Sequence, residues 1–142
     1  MKQIFVDTWA WIAINDSHDM LHHVASSIHR DLLSQRYLYI TSNFVLAETY
    51  TLLRRRVSAK RAFSFGYEVR RITDLNILNT ITITPEIERE AWHLFEMYES
   101  VNGLSYTDCT SFAAMKARGL RQAFTNDDHF AMAGFERVPS LD

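Results

Sequence analysis

The chain has 142 residues, of which 47% are apolar, and a formal net charge of −2. This length and composition predict one globular domain with a sizeable core, and they exclude a disordered chain. The small net charge provides no overall attraction to nucleic acid or to an anionic membrane, so any nucleic-acid surface must be a local patch. The single cysteine, Cys109, cannot form an internal disulfide, which is consistent with a reducing compartment. No stretch is typical of a signal peptide or a membrane span, so we expect a cytoplasmic protein.

Short apolar runs rich in β-favouring residues predict five strands, at residues 4–6, 37–40, 77–81, 122–124 and 135–138. Helical periodicity and capping signals predict seven helices, at residues 8–14, 19–35, 44–56, 58–74, 85–101, 105 or 107 to 119, and 126–133. Strands that alternate with helices indicate an α/β fold with a parallel sheet covered on both faces. Because the crossovers are right-handed, the carboxyl ends of all strands lie along one edge.

The first predicted strand ends directly on a carboxylate, Asp7. Ligands of open α/β sheets bind beyond the carboxyl ends of the strands, so Asp7 lies where chemistry would take place. The alternative is that Asp7 only caps the helix that begins at Thr8. The positions of three later acids favour the first interpretation.

Asp127 follows the fourth predicted strand, and the other two acids lie on predicted helices. Glu48 shares a helix face with Val45 and Thr49, and Asp108 has apolar residues at its i+4 and i+7 positions. A carboxylate on a core-facing stripe is costly unless it is paired or bound to a metal. No lysine or arginine in these helices offers an obvious local partner on the same face. The alternative is that Glu48 and Asp108 are partly exposed at a helix edge.

Converging carboxylates repel each other by roughly 4 kcal/mol per pair at 4 Å and an effective dielectric of 20. Such an arrangement is reasonable only if a divalent cation lies at its centre. Carboxylate ligands without a thiolate favour Mg²⁺ or Mn²⁺ over Zn²⁺. An ion of this kind can polarise a phosphodiester and lower the pKa of a bound water, which predicts phosphodiester hydrolysis.

Four segments of the chain together form a recognisable pattern. They are VDT at 6–8, SNFVLAE at 42–48, LSYTD at 104–108 and AFTNDDHF at 123–130. In their order, spacing and strand–helix context they resemble PIN-domain ribonucleases, most of all the toxin half of VapBC-type toxin–antitoxin pairs. The resemblance extends over essentially the whole chain.

The resemblance implies a single PIN domain over residues 1–142, with a three-layer α/β/α sandwich and a five-stranded parallel sheet. It implies an Mg²⁺- or Mn²⁺-dependent endoribonuclease that hydrolyses single-stranded or loop RNA by attack of a water, without a covalent enzyme intermediate. The implied partners are the RNA, a small antitoxin protein and a second copy of the chain in a homodimer. The alternatives are a non-catalytic RNA- or protein-binding module and a housekeeping nuclease without an antitoxin.

Site residues carry over from the family position by position. The implied catalytic acids are Asp7, Glu48, Asp108 and Asp127. The implied metal ligands are Asp7, Asp108 and Asp127, and the implied polar neighbours of the acids are Thr8, Asn43, Thr107 and Thr125. A shift by one residue would put Asp128 in place of Asp127. His129 adjoins this position, and we interpret it as a surface residue; the alternative is that it contacts the substrate.

A local basic region begins with Arg54, Arg55 and Arg56 and continues through the next predicted helix. These three arginines are candidate contacts for RNA phosphates or for an acidic partner. The alternative is that they complement the dipole at the end of their helix and are otherwise solvated.

Overall fold

All five strands lie in one parallel sheet, in a computed structural model that describes residues 2–140. The strands are β1 (Gln3–Val6), β2 (Leu38–Ser42), β3 (Leu78–Ile81), β4 (Gln122–Phe124) and β5 (Glu136–Val138). Their order across the sheet is β3-β2-β1-β4-β5. The predicted five-stranded parallel sheet is therefore confirmed.

Seven helices in the described part of the chain connect and flank the strands. They are α1 (Thr8–Asn15), α2 (His22–Ser34), α3 (Asn43–Arg56), α4 (Ala59–Asp74), α5 (Pro85–Met97), α6 (Tyr106–Arg118) and α7 (Asp128–Met132). The predicted α/β class is confirmed. None of these helices, within residues 2–140, is long and apolar enough to cross a membrane.

Two helix boundaries differ from the prediction by three residues or more. The second helix begins at His22 rather than at residue 19, because the Asp19 carboxylate accepts a hydrogen bond from the Leu21 N–H at 2.9 Å and holds a turn there. The fifth helix ends at Met97 rather than near residue 101, and its last residues continue as a turn in which the Val101 N–H donates to the Tyr98 carbonyl at 2.9 Å. Both differences lie at helix ends, where short-range side-chain and turn hydrogen bonds compete with the helix.

The first strand is the centre of the sheet and of the core. Ile4, Phe5 and Val6 are fully buried, as expected for a parallel strand covered on both faces. Phe5 is in register with Ile40 of β2, and Val6 with Phe124 of β4. Each fully buried side chain of this size contributes roughly 1.5–3 kcal/mol of hydrophobic stabilisation.

The strand order places a topological switch point between β1 and β4. From β1 the chain builds the sheet outwards through β2 and β3, and it then returns to the other side of β1 to add β4 and β5. At such a point the neighbouring loops diverge and leave a crevice beyond the carboxyl ends of the strands. The residues that follow β1 and β4 therefore line a cleft that the strand order itself creates.

Candidate active site

A cavity of about 310 Å³ opens at this switch point. Its walls include the carboxylates of Asp7, Glu48, Asp108 and Asp127. Asp7 directly follows β1, Glu48 lies on α3, Asp108 lies in the first turn of α6, and Asp127 is the N-cap of α7. The structure thus brings together four acids that come from four separate segments.

The hydroxyl of Thr125 links two of these segments directly. Thr125 Oγ1 donates a hydrogen bond of 2.8 Å to Asp7 Oδ2, and it accepts one of 3.1 Å from the Asp127 N–H. Asp7 is the N-cap residue of α1, but its side chain makes no capping hydrogen bond. Its carboxylate lines the cavity and accepts the hydrogen bond from Thr125, and it does not cap the helix.

Asp108 is oriented by a capping box at the start of α6. Its N–H donates to Ser105 Oγ at 2.9 Å, and its own Oδ2 accepts a hydrogen bond of 3.2 Å from the Ser105 N–H. This reciprocal pair satisfies two backbone donors at the helix start. It also holds the largely buried carboxylate in one orientation at the cavity wall.

Burial and mutual repulsion disfavour the charged forms of two acids. Burial raises the pKa of Asp7 to about 7, with a further contribution from the negative charge of Asp108 and an opposing one from the Thr125 hydrogen bond. Burial also raises the pKa of Asp108 to about 6, and the charge of Asp127 adds to this. A divalent cation among these oxygens would relieve both effects.

Two buried polar atoms beside the acids have no hydrogen-bond partner among residues 2–140. They are Thr8 Oγ1, whose residue lines the cavity, and His129 Nδ1. Buried polar atoms are normally satisfied, so unpaired lone pairs beside a carboxylate cluster fit a bound ion or its water ligands. The residues present therefore fit a divalent metal ion.

His129 was interpreted from the sequence as a surface residue, and this is wrong. Its side chain is only 21% exposed, and its Nδ1 lies 3.0 Å from Asp127 Oδ1 and 3.5 Å from Asp108 Oδ2. Burial lowers the pKa of His129, but the Asn102 carbonyl and the two carboxylates outweigh this and raise it overall. The ring points inward because the one-turn helix α7 packs Phe130 into the core and turns His129 towards α6.

Other predicted site residues lie next to the cavity or further away. Asn43 is exposed at the start of α3, and its Oδ1 accepts a hydrogen bond of 2.9 Å from the Ile83 N–H, so it ties α3 to the loop after β3. Thr107 borders an adjoining hollow that it shares with Glu48. Asp128 lies on the surface, where its carboxylate pairs with Arg137 at 2.8 Å. The structure thus places Asp127, and not Asp128, in the cavity wall.

The three arginines that end α3 point in different directions. Arg56 lines the acidic cavity, Arg55 borders the adjoining hollow with Glu48, and Arg54 stacks over the Phe63 ring at 5.9 Å. Arg55 shares a hollow with Glu48, but no ion pair or hydrogen bond joins Glu48 to a lysine or arginine within residues 2–140, as expected from the sequence. Arg55 lies seven positions, or two helical turns, beyond Glu48, a spacing that returns to the same face.

One acid of the cavity was missed by the sequence analysis. Asp19 contributes to the cavity wall from the turn between α1 and α2. It follows no strand and lies on no periodic apolar face, so the pattern that identified the other acids could not identify it. The sequence offered only one indication of its role, which is that Asp19 lies in a turn shortly after α1.

Comparison with known proteins gives consistent results. Residues 4–136 match the PIN domain family model. The 23S rRNA-specific endonuclease VapC20 of Mycobacterium tuberculosis is 33% identical over 135 residues, which covers 95% of this chain and 97% of that protein.

Solved structures extend the comparison. The crystal structure of M. tuberculosis VapC20, described as a Sarcin-Ricin loop cleaving toxin, aligns with a TM-score of 0.80 and 31% identity over 93% of this chain and 95% of that one. VapBC2 from Rickettsia felis, bound to a promoter DNA fragment, aligns with a TM-score of 0.65 at 14% identity over 95% and 96% of the two chains, and so shares the fold. By sequence and by structure, this chain belongs to the PIN-domain family, among its VapC-type ribonuclease toxins.

Proposed function

We propose that the chain is an endoribonuclease that uses Mg²⁺ or Mn²⁺, held by Asp7, Asp108 and Asp127, with Glu48 as the fourth catalytic acid. The convergence of these four carboxylates in one cavity carries the proposal. Hard oxygen ligands and a polar cavity at a sheet edge suit a hydrated divalent ion.

The proposed domain is a single PIN domain over residues 1–142, and the proposed location is the cytoplasm.

The bound ion would polarise the scissile phosphate and lower the pKa of a water molecule. The Glu48 carboxylate makes no hydrogen bond or ion pair to any residue within 2–140, and it is half-buried in the cavity wall, so it can accept a proton from the attacking water. Thr125 holds Asp7 in place, and the capping box holds Asp108. The expected leaving group is the ribose 3′-oxygen.

A cysteine nucleophile next to the site does not fit. Cys109 follows Asp108 directly, but its side chain is fully buried. Burial raises the pKa of its thiol to about 11, so little thiolate is present at neutral pH. Direct attack by water is the proposed route.

The proposed substrate is a loop of large-subunit ribosomal RNA. The relative that covers nearly the whole chain is named as a 23S rRNA-specific endonuclease. The net charge of −2 gives no general attraction to RNA, so contacts must be local. Arg54, Arg55 and Arg56 are all exposed; Arg56 lines the cavity and Arg55 the adjoining hollow, whereas Arg54 faces Phe63. Arg55 and Arg56 are the proposed contacts for the phosphates next to the cleaved bond, and Arg54 is a proposed contact further along the RNA.

The proposed partners are a small antitoxin and a second copy of the chain. Structural neighbours include VapBC complexes from Rickettsia felis and Salmonella typhimurium. The α5 helix exposes Trp92, Phe95 and Met97, and apolar side chains grouped in this way on a surface favour a protein interface. Light scattering of the purified chain, alone and co-expressed with the protein encoded by an adjacent short reading frame, measures both associations.

The deciding experiment is cleavage mapping by primer extension on purified ribosomes, with Mn²⁺ or with EDTA. The variants are Asp108→Asn and Asp127→Asn, and Asp128→Asn is a matched control because it changes the adjacent, exposed acid. We expect wild type and Asp128→Asn to cut at the same site with Mn²⁺, and the other two variants and all EDTA samples to leave the RNA intact.

Undiminished cutting by Asp127→Asn or by Asp108→Asn would refute the site assignment. RNA binding that survives EDTA, without cleavage under any condition, would instead support the non-catalytic module. Cleavage that needs the metal but occurs only in other RNAs would keep the chemistry and overturn the proposed substrate.

A further inference from the structure

The imidazole of His129 is fixed on the side that faces away from the acids. Its Nε2 lies 2.9 Å from the carbonyl oxygen of Asn102, which can only accept a hydrogen bond, so Nε2 carries a hydrogen and donates it. The ring also lies close to Gly103, where a Cβ would come within 3.6 Å of its Cε1 atom. The loop between α5 and α6 thereby holds the ring in one orientation.

The other ring nitrogen faces the acids. His129 Nδ1 lies 3.0 Å from Asp127 Oδ1 and 3.5 Å from Asp108 Oδ2, and it is inaccessible to solvent. Nδ1 makes no well-oriented hydrogen bond within residues 2–140, and both carboxylates are within ion-pair distance of it if the ring is protonated. One ligand atom from each of these three residues lies within 4.8 Å of the other two.

The 3.0 Å distance between His129 Nδ1 and Asp127 Oδ1 matches that between neighbouring ligands of one metal ion, and the 3.5 Å distance to Asp108 Oδ2 is half an ångström longer. Two ligands at about 2.1 Å from an octahedral ion, at right angles, are about 3.0 Å apart. A histidine ligand typically donates its second ring N–H to a backbone carbonyl or carboxylate, which fixes the tautomer that leaves the ligating nitrogen free. The Asn102 carbonyl occupies this role for His129.

We propose that His129 Nδ1 is a ligand of the divalent ion beside Asp108 and Asp127, and that this nitrogen shifts the preference of the site from Mg²⁺ towards Mn²⁺. The inference rests on the proposed function and adds a nitrogen donor to its oxygen ligands. Mg²⁺ is a hard ion that favours oxygen and water, whereas first-row transition metals bind imidazole well. An all-carboxylate site would lack this preference.

The competing arrangement is an imidazolium that forms ion pairs with both carboxylates. In that arrangement His129 would occupy the position of the cation and would not coordinate it. The two arrangements differ in one observable, which is direct bonding between the metal and a histidine nitrogen. That bond can be detected without an activity measurement.

The test is pulsed electron paramagnetic resonance on the full chain with substoichiometric Mn²⁺. We expect ¹⁴N modulation from a directly bound nitrogen in wild type and in the control variant His93→Gln, which changes an exposed histidine on α5. The modulation should disappear in His129→Gln. Wild-type protein grown with ¹⁵N-labelled histidine should show the ¹⁵N pattern in its place, which tests the assignment even if the variant fails to fold.

Metal competition provides the second measurement. In His129→Gln the affinity for Mn²⁺ should fall about tenfold or more, and that for Mg²⁺ should change less. No nitrogen modulation in wild type, a signal that labelled histidine leaves unchanged, or an unaltered ratio of Mn²⁺ to Mg²⁺ affinity in the variant would each overturn the inference. Mn²⁺-dependent cleavage without histidine coupling would leave the proposed function in place, whereas a wild-type chain that binds no Mn²⁺ would overturn both.

Discussion

Replacing Asp7 by Asn should stabilise the metal-free protein at alkaline pH while removing a proposed metal ligand. Asp7 is 5% exposed, and its pKa is raised from 3.8 to about 7, mainly by burial and next by the charge of Asp108. The folded state therefore binds this proton more tightly than the unfolded state does. The contribution of protonated Asp7 to the free energy of unfolding is fully present below pH 4, falls as the pH rises towards 7, and is lost above pH 7.

The expected size follows from the two pKa values. One pKa unit corresponds to about 1.4 kcal/mol, so ionising Asp7 in the folded state costs roughly 4 kcal/mol above pH 7. Between pH 5 and pH 8 the free energy of unfolding of wild type should fall by about 3 kcal/mol relative to Asp7→Asn. Asparagine keeps an oxygen that can accept the Thr125 hydrogen bond, so the packing of the site is retained.

The assay is urea denaturation of both proteins in EDTA from pH 5 to pH 8, followed by circular dichroism. The difference between the two curves isolates Asp7 and its coupling to Asp108, because the other titrating groups are common to both proteins. Saturating Mn²⁺ at pH 8 should then stabilise wild type, by about 2.7 kcal/mol at a hundred times its dissociation constant, and leave the variant almost unchanged. Parallel pH profiles, or a variant less stable than wild type at pH 8, would refute the electrostatic reasoning.

Three further substitutions test the supports of the site and the fold. Thr125→Val removes the hydroxyl that donates to Asp7, and we expect a loss of about 1–3 kcal/mol in unfolding free energy together with slower RNA cleavage, whereas Thr125→Ser should retain most of both. Ser105→Ala breaks the capping box and should cost about 0.5–2 kcal/mol by chemical denaturation, with weaker Mn²⁺ binding because Asp108 is less well oriented. Gly119→Ala should cost about 1–2 kcal/mol in thermal melts without affecting cleavage, because this residue has φ +67° at the end of α6 and no neighbour that a methyl group would contact.

The fold could be predicted because local signals and the global arrangement agree. The run from Ile4 to Val6 is short, apolar and followed by a capping position, and it became the buried central strand. Thr84 and Pro85 predicted the start of α5, and the structure shows the Thr84 hydroxyl capping the Ile87 N–H. Acids that follow strands were expected at one edge because all strands of the sheet run in the same direction.

Contacts between distant segments could not be predicted in the same way. Nothing near His129 in the sequence indicates that the Asn102 carbonyl, 27 residues earlier, fixes its ring beside Asp127. The hydrogen bond from Ile83 to Asn43 likewise depends on how two connections pass each other after the sheet has formed. The periodicity of a sequence indicates which face of its own helix or strand a residue occupies. It does not indicate how closely two separate elements approach each other, and these contacts depend on that approach.

The hydrogen bond between Thr125 and Asp7 spans 118 residues. A growing polypeptide makes the middle strand of its sheet almost at once, but the neighbour on one side of that strand emerges only after more than a hundred further residues. Chains that terminate before β4 would leave this side of β1 unpaired and would lack Asp127, one of the four acids of the cavity. The four carboxylates of the cavity can therefore come together only when synthesis of the chain has run nearly to completion.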